Sequence, residues 1–180
     1  MKRVLQIELK DREFYDERSN KFFTIKGRKL TLEHSLISIS KWEAHYKKFF
    51  FSREPRTPEE SRYYVKCMTI TQNVPPETYY LVTDEVIEKV NEYINDPMTA
   101  TTIKLTKGRH NGEQVSSELI YYWMIEFGIP FKCEKWHFGR LWALIAICSE
   151  KQKPAKKMSR SKSLKDMVSM NESRLRKLKK

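Results

Sequence analysis

The sequence predicts an α+β fold, mostly helical, in which a small N-terminal antiparallel sheet packs with a body of five or six helices. Extended segments rich in β-branched and aromatic residues occupy residues 1–32, whereas apolar residues recur at helical spacing over residues 33–150. Capping residues, prolines and glycines divide this second region into separate helices. Residues 151–180 are basic and poor in large apolar side chains, which predicts a flexible tail behind a single body of residues 1–150.

The N-terminal β-hairpin region is predicted from three extended segments. Residues 4–9 alternate loosely between apolar and polar and indicate a strand. Residues 21–25 and 28–32 flank a Lys-Gly pair, and Gly27 would supply the positive φ of a tight hairpin turn. The polar residues 11–20 are expected to form the loop between the first strand and this hairpin.

Five helices are predicted from apolar periodicity and terminal residues. They are a helix of about four turns from residue 33, one over residues 61–71 after a start signal at Thr57, Pro58 and Glu60, one that Thr83 caps, one from Ser116 or Ser117 to Gly128, and one over residues 135–148. The last is apolar nearly all round, so we expect it to be the central core helix. The Thr-rich residues 99–105 predict a short strand.

The net charge of +12 is concentrated in the tail. Residues 151–180 hold twelve Lys or Arg and two acids, a net charge of +10, which leaves +2 for residues 1–150. Nucleic-acid binding is therefore expected only through the tail, where a flexible polycation would bind any polyanion in a salt-dependent way. A solvated basic tail is the alternative. The tail residues expected to contact a polyanion are Lys156, Lys157, Arg160, Lys162, Arg174 and Arg176.

Membrane and secreted classes are excluded by the apolar pattern. No run approaches the roughly 20 apolar residues that a membrane span requires, so no membrane partner is expected. The N-terminal residues lack the apolar core of a secretory signal. Cys67, Cys133 and Cys148 are an odd number of thiols without close spacing, which is typical of reduced cysteines in a cytosolic protein.

No motif in the sequence predicts catalysis. It contains neither a Gly-rich phosphate loop nor a nucleophile elbow. Cys133 and His137 have metal-ligand spacing, with Cys148 further on, but the sequence offers no second pair to close a zinc site. Cys67 or Cys133 as a nucleophile lacks an identifiable base. Glu43 with Lys47 is interpreted as helix-surface charge or capping. We therefore expect a protein without catalytic residue, metal or cofactor.

The aromatic side chains carry the remaining functional signal. Residues 121–123 and 136–138, together with Trp142, place a dense aromatic cluster within 22 residues of sequence. Such a cluster is either core or a protein-binding surface, where Trp and Tyr are enriched. The aromatic cluster, together with the sequence segments quoted in the next paragraph, predicts four protein-binding residues: Trp42, Trp123, Trp136 and Arg140.

Several segments resemble a family of small proteins from tailed bacteriophages, the tail assembly chaperones. The resemblance extends from about residue 30 to residue 158, most of the body. The segments are LTLEHSLISISKWE (30–43), YVKCMT (64–69), MTATT (98–102), SELIYYWM (117–124), WHFGRL (136–141) and PAKKM (154–158). These motifs indicate ancestry and carry no catalytic chemistry.

The resemblance implies a non-enzymatic, virus-encoded factor that acts in the host bacterial cytoplasm during virion morphogenesis. Such a factor would bind the tape measure protein, keep it soluble, and help tail-tube protein assemble around it. It would use exposed apolar surface to cover apolar helical faces of the client. Two alternatives stay open, a virion structural or head-tail connector protein and a nucleic-acid-binding accessory protein acting through the tail. The sequence also leaves a homo-oligomer open.

Overall fold

The computed structural model describes residues 4–18, 20–101, 114–152 and 167–171, and it confirms the α+β class. Four short strands precede a helical body. The strands are β1 (Leu5–Glu8), β2 (Arg12–Asp16), β3 (Lys21–Ile25) and β4 (Lys29–Leu32). The helices are α1 (Leu36–Tyr46), α2 (Pro58–Met68), the 310 helix η1 (Pro76–Leu81), α3 (Asp84–Asn95), α4 (Ser117–Glu126), the 310 helix η2 (Phe131–Lys135) and α5 (Phe138–Gln152).

The four strands form one long antiparallel hairpin rather than the predicted strand, loop and hairpin. β1 pairs with β4, and β2 pairs with β3. The register continues unbroken from the first ladder to the second, because Leu5 lies opposite Leu32 and Arg12 lies opposite Ile25. Between the two ladders, the N–H of Leu9 donates to the carbonyl oxygen of Arg28 at 3.0 Å. The prediction of a loop over residues 11–20 is therefore wrong, because most of that segment is strand β2.

Gly27 is required for a close backbone approach and not for a turn. A Cβ atom there would lie 2.0 Å from the carbonyl oxygen of Leu9 on the facing strand. The Gly27 N–H instead donates to Oδ1 of Asp11 at 2.7 Å. The predicted turn at Gly27 is thus wrong; the chain reverses between β2 and β3, where Asn20 has a φ of 54°.

Helices α2, α3 and α4 begin at the capping residues that the sequence predicts. Thr57 caps α2 with a reciprocal hydrogen-bond pair to Glu60, and Pro58 takes the first helical position. Thr83 precedes α3, and the Ser116 hydroxyl accepts the N–H of Leu119 at the start of α4. These signals are local in sequence, which is why they could be predicted without knowledge of the tertiary structure.

The central helix is α1 and not, as predicted, α5. In α1 the side chains of Leu36 and Ile39 are fully buried and Trp42 is 2% exposed. This helix packs against α2, α4 and η2. Four residues of α5 are buried and most of the others are partly exposed. α1 is also shorter than expected, because it ends where Lys47 adopts a φ of 55°.

The strands are fixed to the helical body through β4. Leu32 forms an isolated bridge with Thr69 just after α2, and the Glu33 N–H donates to the Met68 carbonyl oxygen at 2.8 Å. No helix in the described ranges combines the length and apolarity that crossing a membrane requires. Of the strand predicted over residues 99–105, residues 99–101 are not extended in a ladder, and the rest lies outside the described residues.

The chain divides into two compact units, Met1–Ser149 and Glu150–Lys180. The first contains the strands and helices described above apart from the end of α5. In the second, the end of α5 and residues 167–171 are helical. Side chains of Met167, Val168 and Met170 are exposed there. Most of the predicted basic tail lies outside the described residues.

Candidate functional site

Trp42, a predicted protein-binding residue, lies in the core. Its side chain is 2% exposed, and its indole N–H donates to the carbonyl oxygen of Glu60 at 3.1 Å. The ring packs between Tyr46 and Phe50, with centroid distances of 5.1 and 5.4 Å. This burial contradicts a direct contact between Trp42 and a partner. The sequence pattern alone does not distinguish a buried Trp from an exposed one.

The other predicted protein-binding residues lie on α4 and near the start of α5. Trp123 is half-buried on α4, with its ring centroid 6.0 Å from that of Trp142. Trp136 is half-buried, and the guanidinium of the exposed Arg140 lies 4.8 Å from its ring centroid. A cation–π pair of this kind presents both charge and aromatic area to solvent. These three residues therefore remain candidates for contact with a partner.

An exposed apolar surface lies on α4 and η2, and the predicted aromatic cluster includes its Tyr121 and Tyr122 but not Ile125 or Phe131. Tyr122, Ile125 and Phe131 are 57%, 65% and 54% exposed. Tyr121 connects the two elements, because its hydroxyl donates to Oε2 of Glu134 at 2.9 Å and its ring lies 6.3 Å from that of Phe131. These five residues are called the α4–η2 face. The sequence did contain its signal, since α4 is apolar on nearly every side while only one side of a surface helix can pack.

A buried carboxylate fixes the position of α4. Glu43 of α1 is 8% exposed, and its Oε1 accepts the N–H of Phe50 at 2.9 Å. Its other oxygen, Oε2, accepts the N–H of Ser117 at 2.8 Å, at the first turn of α4. A carboxylate there complements the positive end of the helix dipole. Of the two interpretations of Glu43, helix-surface charge is therefore wrong; the side chain is buried and joins three segments.

The most enzyme-like arrangement is a buried network around two histidines. Nδ1 of His34 lies 2.6 Å from the Tyr64 hydroxyl oxygen, and Oγ of Ser38 lies 3.1 Å from that same oxygen. The rings of His34 and His137 are 5.1 Å apart. On the far side, Nε2 of His137 lies 3.1 Å from the carbonyl oxygen of Tyr93. The network therefore connects α1, α2, the end of α3 and the entry to α5.

Both histidines of this network are neutral at neutral pH. Desolvation, followed by the neighbouring His137 and Arg56, lowers the pKa of His34 from 6.5 to about 3. Desolvation also lowers the pKa of His137. Nδ1 of His137 accepts the N–H of Gly139 at 3.2 Å, so Nε2 carries the ring proton and donates to Tyr93. Protonating Nδ1 of His137 would replace this acceptor with a second donor that faces the N–H of Gly139.

The network is placed for packing and not for contact with a substrate. His34, Ser38 and Tyr64 are each at most 2% exposed, and His137 is 6% exposed. Burial raises the pKa of Tyr64, which keeps the phenol protonated. A histidine with a pKa of about 3 is a weak base at neutral pH. The groups therefore serve to join elements of the body.

The surroundings of Cys67 disfavour a reactive thiolate. Burial raises the pKa of the Cys67 thiol to about 11, although Lys41 and Lys66 act in the opposite direction. Cys133 is buried and Cys148 is half-buried. Within the described ranges no group of three or more His, Cys, Asp or Glu side chains could hold a metal ion. A thiol of raised pKa is a poor nucleophile at neutral pH.

A second group of exposed aromatic side chains lies on the strands. Phe22 is 71% exposed, Tyr15 50% and Phe23 47%. They form two cross-strand pairs, Tyr15 with Phe22 at 5.0 Å and Phe14 with Phe23 at 5.8 Å between ring centroids. Strands β2 and β3, called the β2–β3 arm, thus carry an aromatic pair on each face.

The chain has no match among known family models, curated proteins or solved structures. The six predicted polyanion-binding residues of the tail lie outside the described residues. The candidate site is therefore assembled from geometry alone: the α4–η2 face, with Trp123, Trp136 and Arg140 on or next to the elements that carry it.

Proposed function

We propose that this protein is a non-enzymatic bacteriophage tail assembly chaperone that binds tape measure and tail-tube proteins in the host cytoplasm during tail morphogenesis. The observation that supports protein binding best is the exposed α4–η2 face. The identity of the clients rests on the resemblance of the sequence segments quoted above. The two supports are separate, so each can be tested without the other.

The α4–η2 face suits a client helix that has an apolar stripe. Burying exposed aromatic and aliphatic side chains is favourable by roughly 25 cal/mol per Å² of apolar surface. Tyr and Phe provide this area at low entropic cost, because their side chains have few rotatable bonds. A tape measure protein is an elongated helical protein by this resemblance, and its apolar stripes need such cover before the tube forms.

The face is held in place before any client arrives. Ser116 caps the first turn of α4, and Glu43 accepts the N–H of Ser117 from within the core. The carboxylate of Glu134 fixes Tyr121 through its hydroxyl. A surface that is already ordered loses less conformational entropy when it binds. The exposed carboxylates of Glu118 and Glu126 at the two ends of α4 favour clients with basic residues beside the stripe.

The test is co-purification of clients with tagged protein. The chain is co-expressed with the tape measure and tail-tube proteins of the same phage, purified through its tag, and the bound proteins are quantified by mass spectrometry. We expect both clients with the wild type and a loss of at least about tenfold with Ile125→Glu, since a charge buried in an apolar contact is costly. Tyr80→Glu is the matched control, because Tyr80 is 67% exposed on η1, away from α4.

Purified virions decide between the chaperone and the structural protein. The chaperone proposal predicts that the protein is absent from finished particles while it binds both clients in the cell. A stoichiometric amount in particles would contradict it and would make the α4–η2 face a permanent interface. Binding that persists unchanged in Ile125→Glu would show that clients are held elsewhere on the chain.

A further inference from the structure

The β2–β3 arm has an outer edge that the client-binding proposal does not use. β3 lies against η1, whereas β2 has β3 as its only strand partner within the described ranges. Two-stranded ribbons of this kind are marginal unless another strand or layer is added. The exposed aromatic pairs on both faces of the arm add to this need.

We propose that two copies of this chain pair edge to edge through β2, antiparallel and centred on Phe14, to form a four-stranded sheet from two arms. The occupant is a second copy because β2 is complementary to itself. In a pairing centred on Phe14, Arg12 of one copy lies opposite Asp16 of the other, and the two-fold axis repeats this pair. Opposite charges across an antiparallel pair stabilise it.

The charge pattern extends beyond the new strand pair. Within one arm, Asp16 already lies opposite Lys21. The row across the assembled sheet is therefore Arg12 of one copy, then Asp16 and Lys21 of the second copy, with alternating sign. Asp16 also accepts the N–H of Arg18 through Oδ1 at 3.1 Å. A carboxylate has about four acceptor positions, so this bond can persist beside the new contact.

The same register aligns the aromatic residues of one face. Phe14 and Phe23 are stacked within the arm, with centroids 5.8 Å apart. Pairing at Phe14 places the two Phe14 rings opposite each other, so four phenylalanine rings follow one another across the four strands. Cross-strand aromatic pairs are among the stabilising contacts of sheets. The pairing thus covers surface that a single arm leaves exposed.

Neighbouring two-fold registers are disfavoured by like charges. A two-fold axis perpendicular to the sheet keeps each face continuous, so the centre must be a single residue of β2. Centring on Glu13 places that carboxylate against its own copy, and centring on Tyr15 places Glu13 against Glu17 twice. Like charges directly opposite destabilise a strand pair. In the Phe14 register no residue of β2 meets a like charge, and the like charges that this register does place opposite each other, Asp11 with Glu17 and Lys10 with Arg18, lie outside β2.

The test measures self-association of the full chain by sedimentation. We expect a reversible dimer at about 100 µM chain, a concentration at which micromolar affinity is visible. Arg12→Asp should weaken the dimer at least about tenfold, because two attractions become repulsions. The double variant Arg12→Asp with Asp16→Arg should restore it, since the pairs are re-formed with reversed sign. A monomer at this concentration, or a dimer that is insensitive to Arg12→Asp, would overturn the proposal.

Cysteine crosslinking gives an independent readout of the register. Phe14→Cys places two thiols next to each other on the axis, so oxidised glutathione should produce a disulfide-linked dimer. Thr24→Cys is the control, because Thr24 lies on β3 and its two copies would be separated by three strand spacings, roughly 14 Å. Equal crosslinking of the two variants would overturn the Phe14 register. Failure here leaves the α4–η2 proposal intact, since its variants lie on a different element.

Discussion

Aromatic side chains have opposite environments in the helical body and in the β2–β3 arm. In the body, Trp42 and Tyr64 are buried, and each polar atom of these rings has a partner close by. In the arm, Tyr15 and Phe22 contact each other but are half or more exposed. Tyr and Phe occur in both regions, with Tyr64 and Phe50 buried in the body, so the difference comes from the thickness of the surrounding structure. A helix layer covers the first set, whereas a two-stranded ribbon covers little of the second.

This comparison separates residues that stabilise the fold from residues that are available to partners. Loss of a body aromatic removes packing and leaves polar partners unsatisfied. Loss of an arm aromatic removes little that the isolated chain depends on. Stability measurements on matched substitutions in the two regions therefore test the division directly.

Among the predicted changes in stability, the loss caused by Trp42→Ala should be the greatest, and Phe22→Ala is its matched comparison. Trp42→Ala should lower the free energy of unfolding by about 3–5 kcal/mol, because it leaves a cavity in the core and removes the hydrogen bond from the indole N–H to the Glu60 carbonyl oxygen. Phe22→Ala should change it by less than about 0.5 kcal/mol, because that ring is 71% exposed. Urea unfolding followed by Trp fluorescence and circular dichroism measures both. Similar losses in the two variants would remove the distinction between body and arm.

A smaller loss is expected when the Glu43 carboxylate is removed. Glu43→Ala leaves the N–H groups of Phe50 and Ser117 without their acceptor and should cost about 3 kcal/mol. Glu126→Ala is the control, because Glu126 is exposed at the end of α4, the helix that Glu43 holds in position. This substitution should change the free energy of unfolding little. Unfolding in urea again measures the change. If the control cost as much as Glu43→Ala, Glu43 would have no special role in positioning α4.

Acid should weaken the body through its histidines. The folded pKa of His34 is about 3, below the unfolded value of 6.5, so the unfolded chain binds more protons below pH 6.5. The stabilisation is complete above pH 6.5 and is lost as the pH falls towards 3, by about 2 kcal/mol at pH 5 for this group alone. His137, whose pKa is also lowered, adds a loss of the same sign.

The source of this pH dependence can be isolated by substitution. His34→Asn retains a polar group near the Tyr64 hydroxyl but cannot be protonated, so the difference in unfolding free energy between pH 7 and pH 5 should shrink. His45→Asn, at an exposed position of α1, is the matched control, and His34→Asn should shrink the difference more than this control does. An unchanged difference in His34→Asn would assign the acid sensitivity to other groups.

The parts of the fold that the sequence predicted are those with local causes. Thr57, Pro58 and Glu60 mark the start of α2 within four residues, and no distant contact is needed to interpret them. The hairpin was misassigned because its register joins residues far apart, such as Leu5 and Leu32. The prediction for Gly27 was wrong for the same reason, since the backbone of Leu9 on the facing strand leaves no room for a side chain there.

The candidate site was predictable only in part, for a related reason. The aromatic cluster predicted from the sequence lies on α4, at the end of η2 and at the start of α5, where Trp123, Trp136 and Arg140 are found, and their contact with a partner stays a prediction. Composition does not assign exposure, so the sequence predicts binding by Trp42, which is buried, and does not single out the exposed Ile125. Glu43 shows the limit most clearly, because a carboxylate with a lysine four residues later has the pattern of a surface pair.

The solubility of the tape measure protein provides a direct test of the proposed chaperone function. It is expressed alone, with the wild-type chain, with Ile125→Glu and with Tyr80→Glu, and its soluble fraction is quantified after centrifugation. We predict a high soluble fraction with the wild type and with Tyr80→Glu, and a fall with Ile125→Glu to the level without any partner. A tape measure protein whose solubility is the same with and without this chain would contradict the chaperone function.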